Sequence, residues 1–466
     1  MLFCVPRQFY FYTLCLLLVC GFSRHALAVE TILPSADEET AAQEDLKEGE
    51  FLQKEDEGDA RKQGEGPSKP YSYGVMAIPA LNYNEDNGFG IGVVGKAYRF
   101  HEDYRPYQIA MKVQVFMTTK LLQDHEFEID VLDLFSLPLR LTGRLGFYSS
   151  VSQNFCGYGN AVTCDEEEAS NAALLQGYTD PGSKTQFERR YYLTRFIRPY
   201  GVFNLRWKLR DLPHRVELMG GWRGYYYMSG ELFDRDGDQK PDLYPYPGSL
   251  YQQYHKVGED GLASVFQFGV MLDNRDSEPA PKEGYWLEAS IRAASFLWGS
   301  AWNYVGYNLT TRNYLSLLRS KTLILANRFV ADGIYGDAPL QEMIRVGGSR
   351  DYIAFGGEAM GRGIRVQRYP GRIKFMNQAE LRHDLFAWRG LLDEADYIYT
   401  AVAFLDLGYL AYDWTNFGGD PFQVNTGFGV GGRLMVGQEF IIRADLAGSP
   451  EEPGELSVYI NVGNTF

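Results

Sequence analysis

Between Ile373 and Leu385 the side chains alternate in character. Ile373, Phe375, Ala379, Leu381 and Leu385 share one parity, while Lys374, Gln378, Glu380, Arg382 and Asp384 share the other. A period of two is a β-strand signature, and here one face is apolar while the opposite face is charged. A soluble sandwich would bury the apolar face against a second sheet. A transmembrane barrel would turn it to lipid and leave the charges in a polar lumen. The preceding stretch, Val346–Arg372, is too rich in glycine for regular strand or helix and reads as a compact, specifically folded loop.

The rest of the chain decides between the two architectures. Alternation recurs in about sixteen segments, near 71–84, 88–100, 107–120, 121–134, 138–154, 189–209, 214–230, 260–274, 284–296, 302–318, 322–335, 373–386, 397–413, 423–436, 439–448 and 455–466. An even strand count brings both ends of a barrel to the periplasmic side. Counted from there, the connections at 101–106, 135–138, 211–213, 277–283, 319–321, 387–396 and 437–438 are short or moderate and periplasmic. The long ones, 155–188, 231–259 and 336–372, all fall on the outer face. Slipping the count by one strand would scramble that division. There is no apolar run of roughly eighteen residues, so helical membrane spans are excluded. The negative mean hydropathy does not argue against a barrel, whose strands need only every second residue apolar. The expected fold is all-β, a transmembrane antiparallel barrel of about sixteen strands.

Three segments follow along the chain. Residues 1–28 read as a secretory signal, with Arg7 at a basic start, an apolar core from Phe9 to Phe22 and Ala26-Leu27-Ala28 as cleavage site. Lipidation at Cys20 is the other reading, and Val19 stands where a small side chain is required. Residues 29–70 are acidic and poor in large apolar residues, which predicts a disordered leader. Residues 71–466 form the barrel. After cleavage only Cys156 and Cys164 remain, and their spacing in an oxidising compartment predicts a loop disulfide. The final segment carries Leu456, Val458, Ile460 and Val462 in one phase and reaches Phe466 in the same phase, as an outer-membrane strand would.

Several residues carry candidate chemistry. Arg362 lies between Gly361 and Gly363 and is followed by Ile364, so its planar fork of donors sits on backbone able to approach a wall closely. A cation held inside a barrel needs carboxylates. Asp406, Asp445 and Glu380 have lumen parity; Asp406, Asp445 or both are expected to receive Arg362. The first and last segments must pair to close the barrel, since lipid cannot satisfy an open edge. Gly74 and Pro79 weaken the first of these strands, so the seam between it and the strand ending at Phe466 should be poorly bonded. Asp234, Asp236, Asp238 and Asp242 are spaced like a calcium loop, but Gln239 occupies the usual glycine position and no bidentate Glu follows. The readings there are a weak calcium site or a solvated acidic tip; no other cofactor is expected. No G-x-S-x-G occurs and the six histidines are scattered, so no enzyme is expected.

The motifs resemble one family. Gly269–Ile291, with Asp273, Arg275, Asp276, Pro281 and Gly284, is similar to the D-x-R-D-x-x-x-x-P-x-x-G strand–turn–strand signature of the bacterial surface-antigen barrels, the BamA/TamA-like family. Gly361-Arg362-Gly363-Ile364 is similar to the family's V/L-R-G-F/Y loop tip, with glycine in the aliphatic position and isoleucine in the aromatic one. Ala401–Leu410 resembles its F-x-D-x-G strand, and Gly427–Ala447 the two strands before the last. The resemblance implies a sixteen-stranded barrel in the outer membrane of a Gram-negative bacterium, itself inserted by the barrel-assembly machinery. It also implies membrane insertion or translocation of a polypeptide or lipid. The larger members carry periplasmic POTRA domains, for which residues 29–70 leave no room. Partners would be outer-membrane lipid and a periplasmic or secreted polypeptide, with no nucleic acid. The alternatives are a passive pore or a structural barrel in which loop 336–372 acts as plug.

Overall fold

The computed structural model describes residues 71–466, except 85–87, 102–103, 161, 163, 210–211, 213–214, 230–245, 256–258, 351, 391–395, 417–422 and 438–439. The expected signal peptide, acidic leader and calcium-type loop (Asp234, Asp236, Asp238, Asp242) lie outside the described residues. The first half of the chain supplies β1 (Ser72–Asn84), β2 (Gly88–His101), β3 (Tyr104–Thr118), β4 (Gln123–Val131), β5 (Leu139–Asn154), β6 (Leu193–Lys208), β7 (Arg215–Tyr227) and β8 (Gly261–Asp273). The second half supplies β9 (Gly284–Ala294), β10 (Tyr304–Ser316), β11 (Leu323–Gly336), β12 (Arg345–Val346), β13 (Tyr352–Ile353), β14 (Ile373–Arg389), β15 (Asp396–Ala411), β16 (Asn425–Val436), β17 (Phe440–Gly448) and β18 (Ser457–Val462). All but β12 and β13 form one closed antiparallel barrel, each strand beside its neighbour in sequence, with β11 next to β14 and β18 next to β1. β12 and β13 pair with each other inside the loop between β11 and β14.

Alternation sorts the side chains as lipid and water require. On β14, Phe375, Leu381 and Leu385 are exposed on the outer surface, while Lys374, Gln378, Glu380 and Arg382 are buried inside. Neighbouring strands repeat the division: Leu325, Leu405 and Leu446 point outward, and Arg328, Asp406 and Asp445 inward. Each of the sixteen expected segments overlaps one barrel strand, with β2, β3, β11, β14 and β15 running past the expected bounds. The expected 189–209 begins too early, because Pro181–Tyr191 is helix and β6 opens at Leu193. Asp180 caps that helix by accepting from the Gly182 and Ser183 amides, and Pro181 presets its first turn.

The long loops cap the outer end. Phe155 is buried beside Tyr251 of the short helix Leu250–Tyr254 and Tyr191 of the helix Pro181–Tyr191. Cys156 and Cys164 are joined in a disulfide, and Arg368 of the long loop donates to both sulfurs (2.8 and 2.9 Å). Asn160, within the disulfide loop, accepts from the Leu410 amide (3.1 Å), so this loop is seated on β15.

The end of the chain departs from expectation. Phe466 is not a lipid-facing residue of the seam strand. β18 stops at Val462, and Gly463, at φ +96°, turns the chain into the lumen. Phe466 is buried there, its ring 5.1 Å from the guanidinium carbons of both Arg328 and Arg382 and 6.4 Å from the Tyr314 ring. The cation–π contacts of Phe466 with Arg328 and Arg382 win over continuation of the strand.

Candidate functional site

The loop between β11 and β14 folds back into the lumen, and Arg362 is fully buried at its tip. Asp406 of β15 takes a fork of two bonds, from Nε (3.0 Å) and Nη2 (2.9 Å). The same carboxylate accepts from the backbone amides of Arg362 (3.0 Å) and Gly361 (3.2 Å), so it binds the loop's main chain as well as its charge. Nη1 reaches Glu380 of β14 at 2.7 Å and Asp445 of β17 at 3.2 Å. The Phe404 ring lies under the guanidinium at 3.5 Å. Arg382 at 2.8 Å and Arg433 at 3.5 Å also touch Glu380, while Arg433 at 2.6 Å and Arg443 at 3.7 Å touch Asp445. Four guanidiniums thus share three carboxylates with little solvent. Such a network is costly to break from one side, which makes it a device for fixing position.

The wall is shaped to receive the tip. A Cβ on Gly427 of β16 would stand 2.1 Å from the Arg362 carbonyl oxygen. Gly363, at φ +90°, adopts a conformation that side chains resist, and a Cβ there would lie 2.5 Å from the Gly448 carbonyl carbon. Ile364 is buried with Phe355, Met360 and Leu410. An apolar contact therefore holds where the family motif carries an aromatic.

A second anchor was not legible in the sequence. Asp332 of β11 is held by Arg292 (2.8 Å) and Lys374 (3.0 Å) and accepts from the Gly347 amide at 2.9 Å. Glu288 of β9 accepts from the amide and the hydroxyl of Ser349, both at 2.6 Å. Parity assigns these strand residues to the lumen, but nothing in their spacing says which loop segment they will meet.

On the other side of the lumen, the turn after β8 is organised by its own side chains. Arg275 forks onto Asp273 (both bonds 2.9 Å), and Asp276 accepts from the Lys282 and Glu283 amides (3.0 and 3.3 Å). Pro281 is buried, and Gly284 opens β9. Glu278 of this turn reaches Arg140 of β5 at 2.9 Å. Burial alone would raise the Glu278 carboxyl; Arg140, Arg206 and Arg275 outweigh it and hold it at about 2.

A sequence profile of the Omp85 superfamily domain matches residues 171–466. This chain belongs to the Omp85 superfamily. Among solved structures, CdiB from Escherichia coli aligns at 13% identity over 85% of this chain and 63% of its own, with a TM-score of 0.51. BamA from Haemophilus ducreyi lacking POTRA domains 1-3 aligns at 11% identity over 85% of this chain and 70% of its own, with a TM-score of 0.45. The chain thus spans roughly two-thirds of these relatives. At such identities the likeness concerns the fold. No curated protein matches at the sequence level.

Omp85 barrels reside in the Gram-negative outer membrane, and the seam of this one is its weakest junction. β1 runs beside β2 in register from Ser72↔Phe100 to Asn84↔Gly88, but among the described residues it is registered with β18 only at Tyr83↔Val458. Gly74 and Pro79 oppose Tyr98 and Val93 of β2 and, among the described residues, have no registered partner on β18. The turned-in tail crosses the lumen instead. Thr465 accepts from Arg443 (2.6 Å), and Asn464 donates to the Pro279 carbonyl (3.0 Å). Among the described residues no group of three or more His, Cys, Asp and Glu is placed to hold a metal ion.

In the outer cap of this Omp85 barrel, Glu259 accepts from the Leu340 amide (2.6 Å), tying the cap to the start of the inward loop. Burial pushes its carboxyl from 4.5 up to about 7. His255 faces it at 3.2 Å, held by burial down at about 4, with the Tyr158 hydroxyl 2.6 Å from its other ring nitrogen. A carboxyl with a raised folded pKa favours the protonated fold, so its stabilisation is complete below 4.5 and is lost as pH rises through about 7. Exchange of the Leu340 amide, corrected for intrinsic rate, should be about an order of magnitude faster at about pH 8 than at about pH 5. Glu259→Gln should abolish that difference. Equal protection at both pH values in the unmodified protein would remove Glu259 as the cause.

Proposed function

We propose that this barrel assists insertion or translocation of a polypeptide at the outer membrane, using the β1–β18 seam as the lateral route. The observation that carries the reading is the seam itself, paired at Tyr83↔Val458 while β1 is fully in register with β2. An under-paired strand edge offers main-chain groups to an incoming strand, the general basis of β-augmentation. The inward loop, anchored at both Gly347–Ser349 and Arg362, lies in the lumen and braces the wall from β14 to β17. A passive pore would require displacing that loop from both anchors, so the lateral route is preferred. The reading involves no catalysis.

The test is a lock across the seam. Tyr83→Cys with Val458→Cys places two thiols at the registered pair. The protein in liposomes should accelerate folding of a urea-denatured outer-membrane barrel, scored by protease resistance. Oxidising the lock should abolish that acceleration and a reductant should restore it. If oxidised and reduced proteins act equally, the seam is not the route.

A further inference from the structure

The Cys156–Cys164 disulfide closes a small loop in the outer cap, and that loop is tied to the barrel and to the inward loop. Asn160 inside it accepts from the Leu410 amide of β15 (3.1 Å) and from the Asn425 side chain of β16 (2.7 Å). The Gly159 amide donates to the Pro370 carbonyl (2.8 Å), on the arm by which the inward loop returns to β14. Arg368 stands on the same arm, buried, with Nη1 2.8 Å from Cys156 Sγ and 2.9 Å from Cys164 Sγ. Its ion-pair partner is Glu452, at 3.6 Å and shared with Arg365. A guanidinium is thus turned towards two sulfurs that carry no charge and accept weakly. Such sulfurs compensate a buried cation poorly, and a thiolate in the same place would compensate it far better.

We infer that Cys156–Cys164 is a thiol–disulfide exchange site for a small dithiol, and that its oxidation state sets how firmly the outer cap holds the returning arm of the inward loop. The two sulfurs are not equivalent. Cys156 is buried and Cys164 is partly exposed, so Cys164 is the one an incoming thiolate reaches. A thiolate of the dithiol bonds to Cys164 Sγ, the Sγ–Sγ bond breaks, and Cys156 leaves with the electron pair as a thiolate beside Arg368 Nη1. The dithiol's second sulfur then displaces Cys164 from the mixed disulfide and closes the dithiol into a cyclic disulfide. Two electrons pass to the protein. Of the dithiol's two protons, one ends on Cys164 and the other in solvent, while Arg368 keeps Cys156 ionised. Stabilising that thiolate makes it a better leaving group and draws the equilibrium towards the reduced form. With the cross-link open, the short loop that presents Gly159 and Asn160 gains freedom, and their bonds to Pro370, Leu410 and Asn425 weaken together. Neither step involves the β1–β18 seam, so the exchange site stands apart from the lateral route.

The experiment is a redox titration of the full chain, folded in detergent micelles and equilibrated with mixtures of reduced and oxidised dithiothreitol. Free thiols are alkylated and scored by mass spectrometry on the peptides that hold Cys156 and Cys164. Arg368→Gln should need about a tenfold higher ratio of reduced to oxidised dithiothreitol for half-reduction. Arg368→Lys should stay close to the unmodified protein, because Nη1 alone makes both sulfur contacts and an ammonium can stand in for it. Exchange of the Gly159 and Leu410 amides should be at least about tenfold faster in the reduced barrel than in the oxidised one. The Gly347 amide, bonded to Asp332 at the other anchor, should exchange equally in both. Cys156→Ser with Cys164→Ser should show the fast exchange with or without the dithiol. The comparison of redox states is made on the unmodified folded barrel and does not need that variant to fold. A half-reduction ratio unchanged by Arg368→Gln, or raised equally by Arg368→Lys, overturns the exchange site. Equal Leu410 exchange in the two redox states overturns the hold on the arm, and a disulfide that stays closed throughout the titration overturns both.

Discussion

Arg362→Ala should lower barrel stability by on the order of 3–5 kcal/mol, read as a lower urea midpoint for the heat-modifiable gel shift. The substitution removes the guanidinium that forks onto Asp406, and it leaves that buried carboxylate with two amide donors and, among the described residues, no hydrogen-bonded cation. Glu380 and Asp445 suffer less, because Arg382, Arg433 and Arg443 remain beside them. The loss should therefore fall mainly on the Arg362–Asp406 pair. Asp406→Asn is informative for the same reason: it keeps an acceptor for the amides but gives up the charge, so its cost should be smaller than that of Arg362→Ala. Arg362→Lys should recover only part of the stability, since an ammonium cannot reach Asp406 through two parallel donors while also touching Glu380. Insertion activity should fall with the stability if the loop braces the wall beside the seam. An Arg362→Ala barrel with an unshifted midpoint would mean that the buried network does not hold the loop.

What the sequence disclosed and what it withheld divide along a physical line. Strand existence was legible because lipid on one side and water on the other impose period two, so Phe375 against Lys374, or Leu405 against Asp406, declares its face without knowledge of any partner. The pairing of Arg362 with lumen carboxylates followed from the cost of a lone buried cation. Glu380, at 2.7 Å, proves as close a partner as Asp406, and parity could not rank the two. The Phe466 position was misread because parity assumes the strand continues. A single glycine, Gly463, ends it, and the contacts of Phe466 with Arg328 and Arg382 come from strands far away in sequence. Helices in the outer cap left a signal that alternation does not report: Asp165 before Glu166-Glu167-Glu168, and Asp180 before Pro181, are both cap sequences. The Glu288–Ser349 anchor spans 61 residues and had no local signature.

Gly427→Ala should be nearly as damaging as Arg362→Ala although it adds one methyl and removes no charge. Gly427 lies within β16, opposite Asp406 of β15, and carries no positive φ, so alanine meets no backbone strain of its own there. The conflict is with the loop. The new Cβ would stand 2.1 Å from the Arg362 carbonyl oxygen, 3.1 Å from its carbonyl carbon and 3.3 Å from its nitrogen. These are main-chain atoms and cannot swing aside as a side-chain end would. Relief requires the tip to retreat from the wall, which stretches the bonds to Asp406 and Glu380 that hold it there. Overpacking of this kind costs about 1–3 kcal/mol before the lost ion pairs are counted. Gly437→Ala is the control: nothing lies within 4 Å of its added carbon, so it should cost only the strain of φ +63°, about 1 kcal/mol. Because Gly427→Ala and Arg362→Ala both act by unseating one tip, their effects should fall well short of additive in the double variant. Full additivity, or a Gly427→Ala midpoint equal to that of the unmodified barrel, would mean that the tip does not rest against β16.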